Sequence, residues 1–172
     1  MRAMFGGRRR KIFGHGRELG AYRNELFERT RRIDGVLAAV ADEIDALRRR
    51  ALDPDAAVER LGEQETMLDE ESTGLIEMMA PEELHGLHME YEANLERALR
   101  GIVTVERGCA ITRLPHRPPE DEEPFVYYKR GHANVTHARM RMNEISEVLL
   151  AWEPGRPTEA SVAARLERMR EG

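Results

Sequence analysis

Four stretches of this chain place apolar residues alternately three and four positions apart, and that spacing limits the fold more than any other feature. The first seam reads Leu19, Tyr22, Leu26, Thr30, Ile33, Leu37, Val40, Ile44 and Leu47. The second reads Val58, Leu61, Glu65, Leu68, Ser72, Leu75 and Met79. The third reads Leu84, His88, Tyr91, Leu95, Ala98, Ile102, Val105 and Cys109, and the fourth Val135, Ala138, Met142, Ile145, Leu149 and Trp152. Such steps put every member on one face of an α-helix. A strand alternates every second residue, and no stretch does so. Four seams of this kind need one another for burial, and short connections make successive helices antiparallel. The expected fold is therefore all-α: an antiparallel up-down-up-down four-helix bundle, with helices crossing at about 20°.

Punctuation sets the boundaries. Asp53 followed by Pro54 gives a capping side chain and then a proline at the first helical position. Pro81 with Glu82 and Glu83 opens the third segment, with acids at the positive end of the helix dipole. Residues 115–124 hold four prolines and the acidic run 120–123. The bundle is expected over 18–152, with helices at about 18–52, 54–79, 81–113 and 125–152. Residues 1–17 read as a basic flexible tail. Pro154 and Pro157 break the fourth helix, and residues 153–172 read as a linker and a short amphipathic helix. Val162, Leu166 and Met169 form its stripe at i, i+4 and i+7.

Composition narrows the function. The 172 residues have 34% charged and only 5% aromatic side chains. No run of about 20 apolar residues exists, so no transmembrane helix is expected. The N-terminus lacks the apolar stretch of a secretory signal, and a cytoplasmic location is the default. Cys109 is the only cysteine, which excludes an intrachain disulfide and an all-cysteine metal site. It lies on the third seam and reads as a small buried apolar residue rather than a nucleophile. No glycine-rich loop joins a strand to a helix, so a phosphate cradle is not expected.

Charge is segregated. Residues 1–52 carry 13 basic and 7 acidic side chains, whereas residues 53–92 carry 13 acidic ones against Arg60 alone. A basic first helix beside an acidic second one explains this most simply. The helical methionines Met67, Met78, Met79, Met89, Met140 and Met142 read as core filling. Phe27, Val36, Ile76, Leu87 and Leu99 lie outside the seams and either widen the core stripe or make a dimer face.

Four polar residues interrupt the seams: Thr30, Glu65, Ser72 and His88. A buried carboxylate costs several kcal/mol unless paired, so these four are expected to form a satisfied polar layer that fixes register. In an antiparallel arrangement His88 falls nearer Ser72 and Leu75 than Glu65. A ferritin-like di-iron site needs two Glu-x-x-His motifs. Here only Glu82-x-x-His85 matches, in a first helical turn where the dipole already accounts for the acid. His85, His88 and Glu92 can share a helix face and are the metal candidates, but no metal or other cofactor is assigned, and no catalytic residue.

The most function-like feature is the cluster Arg8, Arg9, Arg10 and Lys11, flanked by Phe5, Ile12 and Phe13. The leading expectation is a non-enzymatic, adaptor-like bundle that binds a protein partner or self-associates as a homo-oligomer, docking through this basic tail or through Val162, Leu166 and Met169. A metal-binding bundle is the second reading. Binding of nucleic acid or an acidic membrane surface through residues 1–17 is the third, and it would be salt-dependent.

Overall fold

The computed structural model describes the backbone of residues 7–154 and the side chains of residues 16–154. Four long helices account for most of it: α1 (Gly7–Arg48), α2 (Pro54–Glu77), α3 (His85–Thr112) and α4 (Pro124–Ala151). A single 3-10 turn, Glu82–Leu84, leads into α3. No strand occurs among the described residues, so the all-α expectation holds.

The local chemistry explains the breaks. Asp53 caps α2 by accepting from the backbone N–H groups of Asp55 and Ala56, and Pro54 follows at the first helical position. At the end of α1, the N–H of Arg50 bonds the carbonyl of Leu47 and that of Ala51 bonds Ala46. This is a Schellman closure, and it forces its terminal residue into the left-handed region. Here that residue is Arg50, with φ 59°. Pro124 opens α4. The preceding loop is pinned by Asp121, whose carboxylate accepts from Arg107 at 2.7 Å and from the Tyr127 hydroxyl at 3.1 Å.

The seams of α1, α3 and α4 are buried throughout. α2 departs from expectation. Its buried stripe runs through Ala57, Leu61, Leu68 and Leu75, while Glu65 and Ser72 lie half-buried at its edge. The helix also stops at Glu77, so Met79 leaves the seam and is 91% exposed. Core filling therefore describes Met78 and Met142 but not Met67, Met79, Met89 or Met140, which are exposed. Leu87 is buried, Val36 and Leu99 pack on the core, and Phe27 and Ile76 face solvent.

Side-chain pairs fix how the helices run. Between α1 and α2, Arg29 and Arg32 meet Glu71, while Glu43 accepts from Gln64. Between α2 and α3, Leu75 meets His88 and Asp55 pairs with Arg113. Between α3 and α4, Glu90 pairs with Arg141 and Arg97 reaches Asn134. In each pair one number rises as the other falls, which is the signature of antiparallel neighbours. α4 closes the ring on α1 through Asp34, which accepts from Arg139 at 2.7 and 3.1 Å and from Asn143 at 3.0 Å. The basic first helix does lie beside an acidic second one.

α3 and α4 approach closely where both lack side chains, at Gly101 and Gly131. A Cβ on Gly131 would lie 2.6 Å from the Gly101 carbonyl oxygen and 2.3 Å from Val105 Cγ2. Gly35, in the middle of α1, has nothing within 4 Å of such a Cβ. The two positions should therefore respond oppositely to alanine. Gly131→Ala overpacks a backbone contact and is expected to cost about 1–3 kcal/mol in chemical denaturation. Gly35→Ala should stabilise by about 0.5–1 kcal/mol, because only the entropic cost of a helical glycine is removed.

The Asp34–Arg139 pair carries a pH signature. Hydrogen bonding from Arg139, helped by Asn143, holds the Asp34 carboxyl below its ordinary range against the opposing effect of burial. A carboxyl whose folded value is depressed contributes stability above its unfolded value, and that stability is lost as pH falls through the folded one. Asp34→Asn should lower stability at neutral pH by at most about 1 kcal/mol, since the pair is partly solvated. Urea unfolding repeated across pH should show this difference closing below about pH 4.

Candidate functional site

Among the described residues, a polar cluster that joins three helices inside the core centres on His88. The imidazole is 2% exposed. Its Nε2 lies 3.0 Å from the Leu75 carbonyl oxygen and 3.0 Å from Glu92 Oε1. Both are acceptors, so the hydrogen sits on Nε2. In the neutral ring with that tautomer, Nδ1 accepts from the Tyr22 hydroxyl at 3.1 Å. The two rings are tilted by 58° with centroids 5.7 Å apart. Burial, with the Glu92 charge in support, pushes the Tyr22 phenol well above its usual value, so it remains a donor.

Each partner has a structural reason to be there. Leu75 belongs to the last turn of α2, whose carbonyls have no helical donor. Its oxygen also accepts from the Met78 N–H, and His88 fills the second lone pair. Glu92 sits one turn beyond His88 on α3 and is reachable at i+4. The cluster thus closes the buried end of α2 against α1 and α3.

Histidine between a carboxylate and a phenol is also the composition of a proton relay. The geometry speaks for structure instead. Tyr22 is 4% exposed, and neither Tyr22 nor His88 lines the clefts at the two ends of the bundle or the groove between α3 and α4. Cys109 is equally withdrawn: it is fully buried, and burial pushes its thiol upward, away from the reactive thiolate.

The expected polar layer is only partly assembled. His88 has the partners just described. Thr30 is buried but returns its hydroxyl to the Phe27 carbonyl on its own helix. Glu65 and Ser72 are half-buried on α2, and burial raises the Glu65 carboxyl, with Asp69 adding to the effect. Of the metal candidates, His85 is exposed while His88 and Glu92 bond each other. No group of three metal-ligating side chains occurs among the described residues. Tyr22 and the Leu75 carbonyl were not foreseen as members. The i, i+4 spacing of His88 and Glu92 was the available signal for the third.

Depressions among the described residues include a groove and two end clefts. The groove between α3 and α4, about 640 Å³, is polar, and its Arg141 is already held by Glu90 and Glu144. One end of the bundle has a cleft of about 590 Å³ lined by Leu52, Pro54, Phe125 and Tyr128, with Arg48 and Arg50 at its edge. The opposite end has a cleft of about 480 Å³. There Leu19, Met79, Ala80, Pro81, Trp152 and Pro154 make apolar walls, with Glu18, Glu82 and Glu83 around them. The His88 cluster lies about one helical turn inward from this second end, since Tyr22 follows Leu19 by three residues and Leu75 precedes Met79 by four.

Arg8, Arg9, Arg10 and Lys11 fall within the first turns of α1 rather than ahead of it. Their side chains lie outside the described residues. Val162, Leu166 and Met169 also lie outside the described residues. No helix among the described residues is long and apolar enough to cross a membrane. No protein-family model matches the chain, and comparison with curated proteins and with solved structures finds no match.

The assignment of hydrogens at His88 gives a test by thermodynamic cycle. Tyr22→Phe leaves a buried nitrogen without its donor and should cost about 1–3 kcal/mol. His88→Leu orphans the Tyr22 hydroxyl and should cost at least as much. In the double variant both polar groups are gone, so its cost should fall well short of the sum. Additive losses would mean that Tyr22 and His88 do not share a hydrogen bond.

Proposed function

We propose that this chain is a non-enzymatic, adaptor-like bundle that engages an acidic protein partner through the N-terminal turns of α1. One observation carries the reading. Leu19 lines the cleft at the end of the bundle where α2 finishes, α3 begins and α4 stops, yet α1 starts at Gly7. About three helical turns of α1, some 18 Å, therefore run past that end.

The sequence of those turns gives the extension a chemical preference. A helix N-terminus already carries a positive partial charge from its unpaired N–H groups. The first turn of α1 has no acidic residue to offset it. Arg8, Arg9, Arg10 and Lys11 add four cations at the same place. An anionic surface placed there would relieve this repulsion and gain charge-assisted hydrogen bonds from three guanidinium groups. The bundle then acts as a rigid carrier that sets the direction of the basic turns.

The test compares the full chain with a variant in which residues 8–11 are all glutamine, each used as bait in nuclease-treated lysate with quantitative mass spectrometry. The expected result is an acidic protein captured by the native chain and lost by about tenfold or more from the variant, with capture falling as salt rises. Equal capture by both baits overturns the reading. Recovery of nucleic acid only, when nuclease is omitted, supports phosphate-backbone binding instead.

A further inference from the structure

We propose that the cleft where α1 ends and α2 and α4 begin binds a small organic carboxylate with an apolar body, the charge held by Arg48 and Arg50 and the body lying between Leu52, Pro54, Phe125 and Tyr128. This cleft is at the opposite end of the bundle from the basic turns of α1 and does not rest on docking through them.

The first argument is the shape and its walls. At about 590 Å³ the cleft is of the size that small-molecule sites take, roughly 300–1,000 Å³. Tyr128 forms a buried wall, and its ring is seated on Gly108, where a Cβ would come within 2.8 Å of it. Phe125, one turn earlier on α4, stands 51% exposed at the same cleft.

The second argument is the balance of donors and acceptors. The two carboxylates of the cleft are already engaged: Asp53 accepts from the Asp55 and Ala56 N–H groups, and Glu123 pairs with Arg117. The donors are not. Arg50 is exposed and makes no ion pair among the described residues. Arg48 touches one carboxylate, that of Asp45, at 3.4 Å, and its Nε is buried without a protein partner. The Tyr128 hydroxyl stands beside the Cys109 thiol and the Thr112 hydroxyl without meeting either at hydrogen-bonding geometry. Thr112 turns its own hydroxyl to the Cys109 carbonyl at 2.6 Å. Unmatched donors, two of them cationic, call for a ligand that only accepts, and an ionised carboxylate is that group.

The third argument is Arg50 itself. Its φ of 59° is a conformation that glycine adopts at lower cost, and the end of a helix usually places glycine there. A guanidinium kept in that conformation at the edge of an apolar cleft has a use when an anion sits beside it.

The experiment titrates the full chain with octanoate, locating binding by amide NMR shifts and measuring affinity by calorimetry. The expected result is saturable binding with Kd at or below about 1 mM, and shifts centred on residues 47–54, 112 and 123–128. Octanol lacks the charge and acetate lacks the apolar body, so each should bind at least about fivefold more weakly. Arg48→Gln combined with Arg50→Gly should weaken octanoate by about tenfold, with circular dichroism establishing that the helices are intact. Arg49→Gln is the control, because Arg49 pairs with Asp45 at 3.1 Å and does not line the cleft; it should change affinity by less than about twofold. Phe125→Ser, at a half-exposed position, should weaken octanoate by about fivefold and leave acetate unchanged. Failure to saturate, or shifts centred on Leu19, Met79 and Trp152, overturns the proposal. Octanol or acetate binding as tightly as octanoate overturns it too, as does a loss on Arg49→Gln equal to that of the double variant.

Discussion

The approach of α3 to α4 at Gly101 and Gly131 is the constraint from which the other contacts follow. With backbone against backbone, any side chain on Gly131 would meet Val105 and the Gly101 carbonyl, so the close approach requires glycine there. That fixes which face of α3 turns inward and carries Tyr91, Leu95, Ala98 and Ile102 into the core. It also fixes the outer edges of the pair, where Glu90 meets Arg141 and Arg97 meets Asn134. Gly108 repeats the arrangement two turns on, leaving room for the rings of Tyr127 and Tyr128. The remaining helices then pack on a pair whose geometry is already set.

Polar chemistry inside this fold serves closure. At the buried end of α2 the Leu75 carbonyl, already accepting from the Met78 N–H, takes a second hydrogen bond from the imidazole of His88 on a neighbouring helix. The ion pairs divide by helix pair: Glu71 binds α2 to α1, Asp34 binds α1 to α4, and Arg141 binds α4 to α3. Each is partly solvated, so their worth lies more in selecting neighbours than in bulk stability. Segregation of charge along the sequence is the one-dimensional trace of that selection.

Much of this was legible in the residues. The seams of the first, third and fourth helices appear in the core member for member, because a run of large apolar residues leaves one helical face to bury. Helix α2 was harder. Its large apolar core residues, Leu61, Leu68 and Leu75, recur every seven positions and define a stripe without saying which flank faces which neighbour. The spacing alone placed Glu65 and Ser72 on the seam. The partners decide otherwise, because Arg29 and Arg32 draw Glu71 toward α1 and turn the opposite flank, with Glu65, toward α3. The start of α1 was not legible, since no apolar step precedes Leu19 to mark a helix. Nor were two partners of His88: the Leu75 acceptor is a main-chain oxygen with no letter in the sequence, and Tyr22 reads as one more apolar seam residue.

Trp152 has a consequence for how unfolding of this protein reads. It is the only tryptophan, and it sits where α4 ends against the turn between α2 and α3. Its emission therefore samples one extremity of a bundle whose far extremity, around Leu52, Pro54 and Phe125, lies the length of a helix away. Far-ultraviolet circular dichroism, by contrast, averages over every turn. Superimposable transitions from the two signals define a single cooperative unit from end to end, and a fluorescence change that runs ahead of the helical signal locates the first opening at the end that holds Leu19, Met79 and Pro81.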